Sequence, residues 1–234
     1  MTINEYKNQI WNHYLYIEKE FIDTQTFVSL NEKNYATFSD KYFSLLQLIG
    51  SEIDVILKEI CKCYPLPTGN SLKNIHQYCE VVTTNITNFS NEEIWVVGLE
   101  KKIKPWDNWS FTTTPVTTST GSTYNRYSGN VPFWWTDYNK TKHTRMSVVN
   151  GTPIYERANL KNVLNGLAAL YLCDLMLFTE IIKAAKTNGT YSDGLFAIKP
   201  SKLFESETIN NNHEATFMQM QNALNGIIIP FTAF

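Results

Sequence analysis

Lys142, His143 and Arg145, with Asn139 one helical turn earlier, are the residues whose types and spacing best suit chemistry on a phosphate. Cleaving RNA without a metal needs three things. One group takes the 2′-hydroxyl proton, another protonates the leaving oxygen, and positive charge steadies the developing phosphorane. His143 titrates in the right range for proton work. Lys142 and Arg145 carry charge for the phosphate, and Asn139 can orient the ring or the phosphate. One such segment offers a single histidine. Two copies brought together by a two-fold axis would supply the missing acid or base, so a homodimer is expected.

These residues lie in Pro132-Phe-Trp-Trp-Thr-Asp-Tyr-Asn-Lys-Thr-Lys-His-Thr-Arg145, where four aromatic residues precede or interleave the polar groups. Read as a helix from Phe133, the stretch puts Trp135, Asn139 and His143 on one face at i, i+4 spacing. Tyr138, Lys142 and Arg145 form a neighbouring stripe. The alternative is structural: these residues cap and bridge helices, with Arg145 paired to Asp137, Glu52 or Asp54. A second basic run, Lys101, Lys102 and Lys104 beside Trp106 and Trp109, can be read as a clamp stacking single-stranded nucleic acid or as a solvated edge on buried tryptophans.

Helices must position both. Ile3, Tyr6, Ile10, Tyr14, Ile17 and Phe21 repeat at helical spacing, with His13 beside the stripe as a structural histidine. Tyr42, Leu45, Leu46, Ile49, Ile53, Ile56, Leu57 and Ile60 predict a helix from Ser39 to about Lys62, capped by Asn34 or Ser39. Gly50 in its middle lets a neighbour come close. Pro65 and Pro67 end it, and a short helix over 71–79, capped by Ser71 and holding His76, is expected next. Residues 81–131 change character and predict an irregular or β insertion. Asn150-Gly151 and Thr152-Pro153 mark a turn. Residues 156–186 predict a long helix, apolar around much of its circumference and ended by Asn188-Gly189. Beyond it lie a strand-like piece over 195–199, an Asn-rich turn at 210–212, a helix over 213–224 and an apolar tail from Ile227 to Phe234.

The chain has 234 residues with 43% hydrophobic and only 18% charged residues, enough for a sizeable core in one domain. A net charge of −2 excludes a generally basic nucleic-acid coat but leaves room for a local basic site. Among 20 basic residues the arginines are Arg126, Arg145 and Arg157 only, an Lys- and Asn-rich bias suggesting an AT-rich bacterial or phage genome. Cys61, Cys63, Cys79 and Cys173 lack zinc-knuckle spacing, so reduced thiols and no metal site are expected. No cofactor motif is read. The start lacks an apolar core behind basic residues, and the most apolar run, 163–178, is shorter than a membrane span. A cytoplasmic protein without a membrane partner is expected.

Tyr138-Asn139-x-x-Lys142-His143-x-Arg145, preceded by Trp134-Trp135 and followed by the long helix through Leu160 to Leu170, resembles HEPN domains (higher eukaryotes and prokaryotes nucleotide-binding). The resemblance covers 1–80 and 132–186. It implies a mainly α bundle of about four helices, commonly dimeric, with 81–131 as an insertion and 187–234 as a C-terminal extension. It implies metal-independent endoribonuclease activity in toxin or phage-defence systems, with RNA as substrate and a cognate antitoxin as partner. In that family an Arg, often followed by Asn, precedes the His by four to six residues. Here Tyr138-Asn139 stands in that place, and Arg145 follows the histidine. Family members without the Arg act as silent binding or assembly modules, so a helical module that dimerises and binds nucleotide, nucleic acid or protein is the second expectation.

Overall fold

A computed structural model describes residues 1–66, 72–190 and 199–206. The expectations for Pro67, the Ser71 cap, much of the 195–199 piece and everything from 207 onward lie outside the described residues. The architecture is largely helical with small antiparallel sheets. α1 (Ile3–Tyr6), a π-helical turn (Lys7–Trp11) and α2 (Asn12–Asp23) form one continuous rod. Then come α3 (Asp40–Cys61), α4 (Ile75–Asn85), α5 (Phe133–Thr144) and α6 (Leu160–Thr187). Ser39 caps α3 by accepting from the Tyr42 amide, as its spacing predicted. The fourth helix begins later than expected because Asn74 is its cap, accepting from His76 and Gln77. The long last helix likewise starts at Leu160, where the Asn159 side chain accepts from the Asn162 amide. Residues 154–157 form a 3-10 turn before it.

α3 and α6 run parallel at the centre. Phe38 and Asn159 form a backbone bridge just ahead of both N-termini. Midway, Gly166 faces Ile49 and Leu46. Beyond the end of α3, Tyr64 hydrogen-bonds Glu180. α2 and α5 pack antiparallel to this pair. On α2, Thr24 reaches Tyr42 and His13 reaches Glu52. On α5, Tyr138 lies on Gly50, Thr141 accepts from Gln47, and Arg145 lies over Phe43. The buried stripes read from the sequence on α2 and α3 are the ones that face this core.

The 81–131 stretch is β in part, as expected, but its aromatic residues belong to the same core. β1 (Ile94–Val96) pairs antiparallel with β2 (Lys101–Ile103) on one side and β7 (Phe204–Glu205) on the other. β3 (Thr112–Thr117) and β4 (Thr123–Ser128) form a mostly exposed hairpin. β5 (Val148–Val149) and β6 (Thr152–Pro153) flank the Asn150-Gly151 turn, where both residues have positive φ and the hairpin geometry favours that pair. Phe89, Trp106 and Trp109 cluster together, and Trp106 carries the cluster onto α5 and α6, lying tilted 4.4 Å from Trp109 and 5.4 Å from Trp134. Two of the indole donors are spent on backbone: Trp134 donates to the Pro105 carbonyl (2.6 Å) and Trp106 to the Ala169 carbonyl.

The segment before β7 is held by a buried carboxylate. Glu18 of α2 accepts from the Tyr14 hydroxyl (3.0 Å), the Ser201 hydroxyl and the amides of Lys202 and Leu203 (3.1 Å each). Trp11 adds a bond to the Lys199 carbonyl (2.8 Å). Fully coordinated in this way, a buried charge is tolerable.

Gly50 is where the packing is tightest. A Cβ there would stand 2.5–2.6 Å from three atoms of the Tyr138 ring. Alanine normally stabilises a helix interior over glycine by about 1 kcal/mol. Here overpacking outweighs it, and Gly50→Ala is expected to destabilise the fold by about 1–3 kcal/mol in urea unfolding. Shortening the neighbour as well, in Gly50→Ala/Tyr138→Ala, is expected to cost less than the sum of the two single changes.

Candidate functional site

The α5 segment splits into a buried half and an exposed half. Trp134, Trp135, Tyr138 and Thr141 face the core, while Lys142, His143 and Arg145 face solvent at the C-terminal end. The Tyr138 hydroxyl accepts from Lys142 (3.1 Å), and its ring packs on α3 and Trp135. It cannot reach a substrate, so a catalytic role for Tyr138 is replaced by a packing one. Asn139 donates its amide to the Trp135 carbonyl (3.0 Å) one turn back in its own helix. That bond does not orient His143.

Arg145 stacks over the Phe43 ring at 5.1 Å, within a surface aromatic group of Phe43, Tyr155 and Phe38. None of the three acids read as its structural partners holds it. Asp137 pairs with Arg157 (2.6 Å) and accepts from Asn162 (3.0 Å), Glu52 lies beside His13 (3.8 Å), and Asp54 takes Lys58 and the Tyr78 hydroxyl. The paired arginine is therefore Arg157. It ties α5 to the start of α6, and Asn162 bridges both by donating also to the Arg157 carbonyl (2.7 Å). The sequence hinted at this only through the rarity of arginine.

Of the two readings of the basic run at β2, the clamp and the solvated edge, the clamp is not formed. Trp106 and Trp109 are buried, so neither offers a ring face for a base. Lys101 pairs with Glu32, and Lys102 and Lys104 lie 3.6 and 3.7 Å from Glu93. The run is a solvated edge over tryptophan anchors. No group of three or more His, Cys, Asp or Glu residues able to hold a metal ion is found among the described residues. Burial pushes the Cys61 and Cys79 thiols up to about 12, so neither is a ready thiolate. Among the described residues no helix is long and apolar enough to cross a membrane.

No family model, curated protein or solved structure matches this chain.

A further titratable group lies within the apolar run of α6. Asp174 is fully buried, and both its carboxylate oxygens lack a hydrogen-bond partner. Burial first, and the nearby Glu52 second, push its carboxyl well above the ordinary 3.8. A raised folded pKa means that stability is fullest below the unfolded value and is lost as pH rises toward the folded one. Asp174→Asn removes that loss. Thermal melts from about pH 4 to about pH 8 are expected to show the variant gaining steadily on the wild type as pH rises. Parallel curves would mean that Asp174 does not titrate in this window.

Proposed function

We propose that this chain is a HEPN-like helical module that binds RNA through the exposed end of α5, without cleaving it as a single copy. One observation carries the reading. Lys142, His143 and Arg145 stand together at the solvent-facing end of α5, and among the described residues none of them is paired to a carboxylate. Cations left without acidic partners on a near-neutral body suit phosphate contacts, and Arg145 resting on Phe43 is held in place for them. The same surroundings speak against catalysis by one copy. The Tyr138 hydroxyl is occupied, Asn139 is tied to its own helix, and His143 has no second acid or base beside it.

A second reading rests on a different observation. Met146 and Val148, just past the cationic turn, are 90% and 62% exposed. A second copy covering them would bring two His143 rings together, the arrangement expected of a metal-independent endoribonuclease of toxin or defence type. An antitoxin covering the same patch belongs to this reading.

The test is binding of a labelled single-stranded RNA, with cleavage scored in the same samples. Wild type is expected to bind with marked salt dependence, and Lys142→Ala/Arg145→Ala to weaken binding by about tenfold or more without any cleavage by either protein. Equal binding by the double variant overturns the proposal. Cleavage by wild type that disappears in His143→Ala replaces it with the second reading.

A further inference from the structure

Beside the cationic end of α5 lies a group of aromatic rings that the core does not absorb. Three places in the chain build it: Phe38 just ahead of α3, Phe43 in its first turn, and Tyr155 in the 3-10 turn before α6. Tyr155 makes a T-shaped contact with Phe38 at 5.7 Å and a near-parallel one with Phe43 at 6.2 Å. The group is held in two ways. The Phe38–Asn159 backbone bridge joins the segments that lead into α3 and α6. The Tyr155 hydroxyl donates to Asp40 (2.8 Å). Arg145 completes the group by lying over the Phe43 ring at 5.1 Å.

Phe43 leans on the core, Tyr155 is half-buried and Phe38 is 42% exposed. A single open aromatic ring is ordinary on a protein surface. Three in mutual contact beside Arg145, with Lys142 and His143 on the same turn, combine π surface with positive charge. Charge decides which occupant fits. The acid that touches the group, Asp40, meets it at the Tyr155 hydroxyl, whereas Arg145 meets it at the Phe43 ring. A protein chain covering the rings would also desolvate Arg145, a cation that no carboxylate among the described residues answers. A nucleic-acid strand brings its own anions. Each base laid on a ring carries a phosphate next to it, within reach of the cations.

We infer that Phe38, Tyr155 and Phe43 form a base-stacking platform, so that the α5 site takes RNA through unpaired nucleotides and passes over duplex. The inference rests on the RNA-binding reading of α5 and adds to it the part of the RNA that is read. In a duplex the base faces are stacked on one another, and a ring platform has nothing to hold. In a single strand every base has a free π face, so the platform selects for strandedness and tolerates any sequence. Arg145 belongs to both parts of the site. Its guanidinium rests on Phe43, its outer plane suits a base, and its N–H groups suit the adjoining phosphate.

The test measures the affinity of the intact protein for three RNAs: a labelled single strand, the same strand annealed to its complement, and the same strand made abasic. The single strand is expected to bind tightest, with the duplex and the abasic strand weaker by at least about fivefold, the loss of one stacked base. Phe38→Leu keeps an apolar group and removes the ring. It is expected to weaken the single strand by a similar factor, leaving the abasic strand and the salt dependence unchanged because no charge is lost. Phe38→Trp is expected to restore the affinity. Equal binding of single strand and duplex, or full single-strand affinity in Phe38→Leu, overturns the platform while RNA binding at α5 stands. Absence of RNA binding by wild type overturns both. A dimer that Phe38→Leu splits in sedimentation, with RNA affinity unchanged, assigns the rings to a contact between copies and overturns the platform as well.

Discussion

The parallel contact between α3 and α6 governs the rest of the molecule. Two glycines at its flanks, Gly50 and Gly166, replace side chains with space. Tyr138 fills one and the Trp134 ring approaches the other at 3.4 Å from a notional Cβ. α5 is thereby seated across the seam between the central helices. Its rotation about its own axis is fixed, and with it the set of residues that face outward. Lys142, His143 and Arg145 are exposed because Trp134, Trp135, Tyr138 and Thr141 are not. The candidate site is a by-product of aromatic packing on a glycine-lined groove.

From α5 the aromatic contacts continue without a break into the β-containing half. Tyr138, Trp135, Trp134, Trp106 and Trp109 follow one another at centroid spacings of 4.4 to 5.6 Å. This explains how a stretch between α4 and α5 with short strands and open hairpins keeps a defined shape. Two-stranded ribbons are marginal alone. Here they grow from a tryptophan cluster that is part of the helical core.

The periodic stripes of α2, α3 and α6 were legible in the sequence because burial against one core enforces a 3.6-residue repeat. The α5 boundaries and the role of Gly50 as a point of close approach were legible too. What escaped was whatever depends on pairing across long separations. Arg145 and Arg157 look alike in sequence, yet Asp137 takes the second, because the 3-10 turn at 154–157 swings it over α5. Lys101 to Trp109 can be read as a nucleic-acid clamp or as a solvated edge, and burial of its tryptophans separates the readings. Asp174 was visible within the apolar run, but that its carboxylate would be buried without a partner was not.

The Glu18 latch has a consequence for the order in which the molecule can be completed during synthesis. Glu18 belongs to the second helical segment made, but its donors at Ser201, Lys202 and Leu203 follow more than 180 residues later. Until they emerge from the ribosome, seating α2 would bury a carboxylate with only Tyr14 to answer it. α3 likewise waits for α6, made about 100 residues afterwards. The N-terminal rod therefore stays loosely docked through most of translation, and the cooperative step comes late, when the β7 strap closes over it. Such a nascent chain exposes its apolar stripes for a long time, and chaperone engagement at α2 and α3 is the natural counterpart of that architecture.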